Sequence, residues 1–291
     1  MKFANVTNDV AFRKIFGNEK KTKIIISFLN AVLKLEGGQR ISEVTIINPY
    51  LLPRVAGEKA SIIDVRAKDI SGRQFVVEMQ VADVDGFDKR VQYYTCRDYS
   101  SQIDRGEQYP KLKPTYFVGI LDFNFFESPD YLSNHVILDK KTHEHKLKDI
   151  QFTFIELKKF LLEDHELQTL AEKWIFFIKN AENLEVIPEN IEDEGLLEAY
   201  KDADQFTWNK EERIAYDNAS IAEQDERGKL IAAEKKGISK GIDKGKAEGK
   251  VEEKEEVIER CMEQNTTPDF ISKIVNLPIP KVLEIMEKIR K

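Results

Sequence analysis

Apolar positions along the chain change period several times, and each change marks an element. Between Asn8 and Gly17 the run V-A-F-R-K-I-F sets Val10, Ala11 or Phe12, Ile15 and Phe16 on one side of a first helix, with Thr7 or Asn8 as its cap. Residues 21–35, K-T-K-I-I-I-S-F-L-N-A-V-L-K-L, keep helical spacing until Gly37 and Gly38 stop it. The period then shortens. V-T-I-I-N-P-Y, A-S-I-I-D-V-R-A-K-D and Q-F-V-V-E-M-Q-V are rich in β-branched residues, are parted by turn residues, and predict three strands. A helix follows from Gly86 to Arg105, closed by Gly106. P-T-Y-F-V-G-I-L-D-F-N-F-F, N-H-V-I-L-D and Q-F-T-F-I-E-L predict three more strands, and residues 161–183 and 196–218 predict amphipathic helices. The order is that of an α/β core with a central mixed sheet flanked by helices.

Beyond Arg213 the pattern fades into Ala, Gly, Lys and Glu, with glycines at 237, 241, 245 and 249. A four-residue repeat keeps them near one helix face, drifting by roughly 40° per repeat. Each glycine costs about 1 kcal/mol in a helix interior. Two readings follow: a charged linker, or a helix whose small-residue stripe meets a partner helix. The last forty residues regain apolar spacing in three short helices, with Thr267 as the cap before Pro268 and Ile279-Pro280 opening the last. So small a core favours a docking or dimerising element over a free-standing helix-turn-helix reader of DNA. The division predicted is a domain over 1–225, a charged helical arm or linker over 226–258, and a small helical module over 259–291.

Composition narrows the class. The chain has 291 residues, 41% of them hydrophobic, and a net charge of −7, with the acids concentrated between Glu163 and Asp225. That suits a globular core and argues against a broad, non-specific nucleic-acid coat, while leaving room for a local basic groove. Two cysteines make neither a disulfide framework nor a thiolate metal cluster. The N-terminus lacks the apolar stretch of a signal peptide, and no run approaches the roughly 18 apolar residues of a membrane span. A cytoplasmic protein is the expectation.

The chemistry is concentrated in the hairpin from Ser61 to Gln80. In a strand Glu78 and Gln80 share one face and Val77 and Met79 the other. Ile62 would share the face of Asp64, so burial does not explain that acid. The loop K-D-I-S-G-R is short enough for antiparallel pairing, and a register centred on Ile70 and Ser71 sets Asp64 opposite or diagonal to Glu78. Two ionised carboxylates forced together repel unless a cation lies between them. Hard oxygen ligands on adjacent strands suit Mg²⁺, or Mn²⁺. A metal-activated water also needs a neighbour to orient it and positive charge near the phosphate. Gln80 offers hydrogen bonds but no charge, which leaves Lys14, Arg66 and Arg90 as candidates, each otherwise a solvated surface charge.

These residues also carry a resemblance. I-D-V-R-A-K-D-I-S-G-R-Q-F-V-V-E-M-Q resembles the PD-(D/E)XK nuclease superfamily, and more closely its recombination-promoting nuclease (Rpn) and transposase family. N-D-V-A-F-R-K-I-F-G resembles that family's N-terminal signature, and R-V-Q-Y-Y-T-C-R-D-Y with R-G-E-Q-Y-P-K-L-K-P-T-Y resembles the stretch after its active strand. K-G-I-S-K-G-I-D-K-G-K-A-E-G is similar to the family's charged C-terminal arm. The likeness covers most of residues 1–130 and, more loosely, 205–291.

The resemblance implies a restriction-endonuclease-like core that cuts DNA with Mg²⁺. It implies Asp64, Glu78 and the main-chain carbonyl of Met79 as metal ligands, and Asp9 as a further acid from the first helix. Gln80 stands where most relatives have lysine. Roles in recombination, mobile elements or defence against phage follow from the resemblance as well. The rival reading is a multimerising DNA- or protein-binding scaffold that keeps the core without turnover. Gln80 and the acidic total favour it, whereas the Asp64/Glu78 pair favours the nuclease.

The remaining signals read as structure. His143 and His145 fit a surface turn, and His135 and His165 the ends of a strand and a helix. Tyr93, Tyr94, Tyr99, Tyr109 and Tyr116 fit helix-to-sheet packing, with base stacking as the alternative. Phe123 to Phe126 read as core, and Cys96 as a buried thiol.

Overall fold

Asn8 starts the first helix. Its Oδ1 accepts from the amides of Val10 and Ala11 at 3.0 and 3.4 Å, capping α1 (Asp9–Phe16). Ala11, Phe12, Ile15 and Phe16 are buried, and Asp9 and Arg13, one turn apart, share the exposed side. The structure is a computed structural model and describes residues 1–51 and 61–289. Ala60, the first residue of the second predicted strand, and residues 290 and 291 of the predicted C-terminal module lie outside the described residues.

α2 (Lys23–Val32) ends before the glycine pair that was expected to stop it. Lys34 adopts a left-handed φ of 51°, its amide bonds to Ala31 O at 3.3 Å, and the Leu35 amide bonds to Asn30 O at 3.0 Å. Leu35 then packs on the core, and that contact holds a non-glycine residue in a conformation it rarely adopts. Gly37 lies in the short 3₁₀ turn beyond.

The strands are β1 (Val44–Ile47), β2 (Tyr50–Leu51), β3 (Ser61–Ile62), β4 (Val65–Asp69) and β5 (Gln74–Gln80). α3 (Phe87–Ser100) follows, then β6 (Thr115–Leu121), β7 (Leu132–Val136) and β8 (Ile150–Glu156). Six of them form one mixed sheet in the order β1-β4-β5-β6-β8-β7, and β2 pairs with β3 apart from it. β5, β6 and β8 run parallel, and β1, β4 and β7 pair antiparallel to their neighbours. α3 is the crossover between parallel β5 and β6.

Alternation along β5 divides the core. Phe75, Val77 and Met79 join Val65, Ala67, Val118 and Ile155 under Phe12, Phe16, Phe28, Trp174 and Tyr200. Val76 joins Phe117 and Phe154 under Phe87 and Val91 of α3, together with Phe123. Glu78 shares the Val76 face. With helices on both faces the central strands β5 and β6 are buried on both sides, the α/β arrangement the pattern predicted.

Several boundaries differ from the sequence expectation. α3 ends at Ser100, five residues before Arg105, because Gln102 exchanges hydrogen bonds of 2.8 and 2.9 Å with the backbone of Lys113 and draws the chain away. α4 (Leu170–Asn180) begins only where Thr169 and Glu172 form a capping box. The helix expected over 196–218 is two. α5 (Glu194–Ala203) stops where the Trp208 indole donates to Asp202 O at 2.7 Å, and α6 (Lys210–Glu263) starts after that break. Cys96 is exposed rather than buried, since Val91, Thr95 and Asp98 take the sheet-facing side of α3. Tyr94 and Tyr116 pack as expected, whereas Tyr93 and Tyr109 are exposed.

By compactness the chain divides into Met1–Glu223 and Gln224–Lys291. In the second unit the last turns of α6, α7 (Pro268–Val275) and α8 (Ile279–Ile289) enclose Ile258, Ile271, Val275, Val282, Ile285 and Met286. Thr267 is the cap residue of α7, although its hydroxyl makes no capping bond. Glycines 237, 241, 245 and 249 all lie within α6, and a Cβ at any of them would meet no described atom within 4 Å.

One buried ion pair ties α3 to the sheet. Arg66 donates to Asp98 Oδ1 through Nε at 2.9 Å and Nη2 at 2.6 Å, and to Asn48 O through Nη1 at 2.6 Å. Thr115 Oγ1 donates to the other Asp98 oxygen at 3.2 Å. Asp98→Ala leaves that guanidinium buried and unpaired, so we expect a loss of about 3–5 kcal/mol. Urea unfolding of the variant checks this, and an unchanged midpoint overturns it.

Candidate active site at the end of the β4–β5 hairpin

The hairpin turn sets the register. Gly72 takes a φ of 91°, and the Asp69 carboxylate accepts from Ser71 Oγ at 2.8 Å, the Arg73 amide at 2.9 Å and Arg73 Nε at 2.6 Å. Pairing then runs from Lys68↔Gln74 to Val65↔Val77 and stops. The chain bends at Asp64, which one further step of the register would set opposite Glu78. The bend interrupts the expected alternation: Ile63 is buried in the α3-side cluster with its amide on Pro49 O at 3.1 Å, and Ile62 is half exposed.

Where the ladder stops, a side chain takes over. Asp64 Oδ2 accepts from the Met79 amide at 2.9 Å, and Oδ1 accepts from Arg13 Nη2 at 2.7 Å and Nε at 3.2 Å. The Asp64 side chain is 7% exposed and that of Arg13 47%. Glu78 is buried, and its Oε1 has no hydrogen-bond partner among the described residues. Its neighbour in parallel register is Gly119, where a Cβ would lie 2.9 Å from both the Phe117 and Phe154 rings. Burial, reinforced by the Asp64 charge, pushes the Glu78 carboxyl well above its usual range, against the pull of Arg90 and Arg13.

Gln80 spans the opening. Its Nε2 donates to Met79 O at 3.0 Å and to Glu78 Oε2 at 3.3 Å, and its Oε1 accepts from Arg90 Nη2. The Arg90 guanidinium lies 5.4 Å from the Phe87 ring centroid. Tyr94, one turn further along α3, has its hydroxyl pKa raised by burial and by the Glu78 charge.

The structure thus brings together Asp64, Glu78, Gln80 and the Met79 carbonyl. Asp9 stands at the rim, 3.9 Å from Arg13 Nη2, and the helix cap is Asn8. Two of the cations considered lie elsewhere. Lys14 pairs with Glu212 and sits 5.4 Å over the Trp208 ring, and Arg66 is committed to Asp98 and Asn48. Arg90 reaches the site through Gln80. Sequence reasoning missed Arg13, although its position four residues after Asp9 and off the apolar stripe would have marked it.

Two carboxylates and a carbonyl are hard oxygen donors, and one buried Glu78 oxygen beside a second acid has no hydrogen-bond partner among the described residues. That donor chemistry fits Mg²⁺ or Mn²⁺. Among the described residues no cluster of three or more His, Cys, Asp or Glu side chains is suited to a metal ion, His143 and His145 included. Their turn is organised by Asp139, which accepts from the amides of Lys141 and Thr142 at 2.9 and 2.6 Å.

The family model for PD-(D/E)XK nuclease family transposases matches residues 6–233. The chain belongs to that family. The match spans Asp9, Arg13, Asp64, Glu78 and Gln80, and it ends inside α6. The mixed sheet with its flanking helices is accordingly a restriction-endonuclease-like core with a nuclease-like function. PD-(D/E)XK nucleases generally use divalent metal ions. No curated protein and no solved structure matches the chain significantly. No helix among the described residues is long and apolar enough to cross a membrane.

A buried acid with a raised pKa favours the folded state below the unfolded value of 4.5, and that contribution is lost as pH rises through the folded value. In chelator, Glu78→Gln should therefore melt higher than wild type at pH 8, with the gap closing towards pH 4. Each kcal/mol corresponds to roughly 2–4 °C for a unit of this size. Parallel melting curves across that range would remove the buried-acid reading.

Proposed function

We propose that the chain is a Mg²⁺-dependent DNA endonuclease, with Mn²⁺ able to substitute. The observation that carries this is the Asp64 carboxylate, its side chain 7% exposed, converging with the buried Glu78 carboxylate beside the Met79 carbonyl, with one Glu78 oxygen lacking a partner among the described residues. Asp64, Glu78 and Met79 O would hold the cation, which when bound lowers the pKa of a water and polarises the phosphate. Gln80 has an amide with both a donor and an acceptor, and Arg90 orients it; that pairing suits it to direct the attacking water. The hairpin backbone and the Met79 amide keep Asp64 in place, so the two acids face one phosphodiester without rearrangement of the fold. Hydrolysis breaks the bond between phosphorus and the 3′ oxygen. Recombination, movement of mobile elements and defence against phage are processes that use such a cut.

A second reading, a DNA-binding scaffold without turnover, draws on Asp64 itself, since both of its oxygens already have partners. Nicking of supercoiled plasmid with Mg²⁺ or Mn²⁺ separates the two. Wild type should nick, whereas Asp64→Ala and Glu78→Ala should not. A folded, metal-binding wild type that leaves the plasmid intact supports the scaffold. Equal nicking by all three proteins removes the site assignment.

The α6 arm is read as a homo-oligomerising element. It is a 54-residue helix with the glycine stripe and exposed Ile238, Ile242 and Val251, and apolar and small positions on one helix suit contact with a second copy. Removing residues 228–291 should lower the mass measured by light scattering to that of a smaller assembly. A full-length protein that is already monomeric would rule this out.

A further inference from the structure

Hydrolysis of a phosphodiester concentrates negative charge on the non-bridging and leaving oxygens, and a positive donor aimed there is worth more than any neutral one. Gln80 is neutral, so any positive charge that a side chain adds to that of the metal must come from elsewhere. Three cations around the hairpin are already committed: Lys14 to Glu212, Arg66 to Asp98 and Asn48, and Arg90 to the Gln80 amide.

Arg13 differs from all three. It bonds directly to a carboxylate of the proposed metal site, through Nη2 at 2.7 Å and Nε at 3.2 Å, and both bonds fall on the single atom Asp64 Oδ1. That uses one edge of the guanidinium. Nη1 makes no hydrogen bond among the described residues, and the side chain is 47% exposed although its partner is 7% exposed. A planar fork with one edge on a buried carboxylate and the other open to solvent is shaped to take a second anion. Its base is rigid, because Phe12 and Ile15, on either side in sequence, are fully buried. Asp9, 3.9 Å from Nη2, draws the head group towards the rim where DNA would arrive. Partial burial works against its charge, but the bond to Asp64 and the charges of Asp64, Asp9 and Glu78 outweigh that.

We propose that Arg13 is a catalytic residue of this nuclease: its open edge contacts the scissile phosphate beside Asp64 and supplies the positive charge that Gln80 cannot. The proposal rests on the endonuclease reading above and identifies the residue that completes it.

The test compares Arg13→Ala, Arg13→Gln and Arg13→Lys with wild type in three measurements: thermal melting, Mn²⁺ binding by calorimetry, and single-turnover nicking of plasmid at saturating Mn²⁺. The Ala and Gln variants should fold and bind Mn²⁺ at least as tightly as wild type, since Asp64 loses a competing cation. They should nick about 10²–10³-fold more slowly, the loss typical of removing one transition-state donor. Arg13→Lys should keep part of the rate, and guanidinium ion at low concentration should rescue Arg13→Ala but not Asp64→Ala. A wild-type rate in Arg13→Ala and Arg13→Gln overturns the proposal. So does weak Mn²⁺ binding with the rate restored by more Mn²⁺, which would make Arg13 only a support for Asp64. A wild type that never nicks overturns the nuclease reading and this proposal together, whereas an active wild type with equally active variants overturns this proposal alone.

Discussion

Two carboxylates buried at one point of a sheet constrain everything near them. Burial, with the Asp64 charge beside it, raises the proton affinity of Glu78, and neither carboxylate can be left without compensation. The compensation comes from both sides of the sheet. α1 packs on the face that carries Val77 and Met79, and it sends Arg13 to Asp64. α3 packs on the face that carries Val76, and it sends Arg90 to Gln80, which in turn touches Glu78. The helices that bury the core therefore also deliver the charges, and the site depends on the packing of both layers.

The hairpin contains two kinds of buried charge with opposite meanings. Arg66 and Asp98 satisfy each other and use Asn48 and Thr115 for the remainder, so the pair rigidifies the junction of β4, α3 and β6. Glu78 keeps an oxygen that has no partner among the described residues. A native sheet seldom leaves a buried carboxylate oxygen orphaned, and such an atom is more informative about function than any satisfied pair. Gly119 reinforces the point: the rings of Phe117 and Phe154 fill the place a side chain would take next to Glu78, walling that acid from one side.

The second unit follows a different rule. Its core is small, six buried apolar side chains among the described residues, shared by the end of α6, α7 and α8. Asn276, with φ of 49°, turns the chain between the last two helices. The family match ends before most of that unit.

Local chemistry determined a great deal here. The strand-forming segments, the hairpin, a cap at Thr7 or Asn8 and the proximity of Asp64 to Glu78 follow from period, turn residues and the shortness of one loop, all of which act over a few residues; the division of 44–51 and 61–69 into two strands each, in different sheets, does not. The helix over 196–218 was misread because the break at Asp204 to Trp208 depends on an indole reaching Asp202 O within packed surroundings, which periodicity does not register. The end of α3 was misplaced because Gln102 is held by Lys113, eleven residues away. Choosing among the basic residues was beyond the sequence for the same reason. Lys14 and Arg13 are adjacent, and only the packing of α1 turns one towards Glu212 and the other towards Asp64, 198 and 51 residues distant. Residue types and short-range spacing decide which groups are present in a strand or helix; which of them meet across the sheet is decided by the burial of the apolar faces, a property of the whole fold.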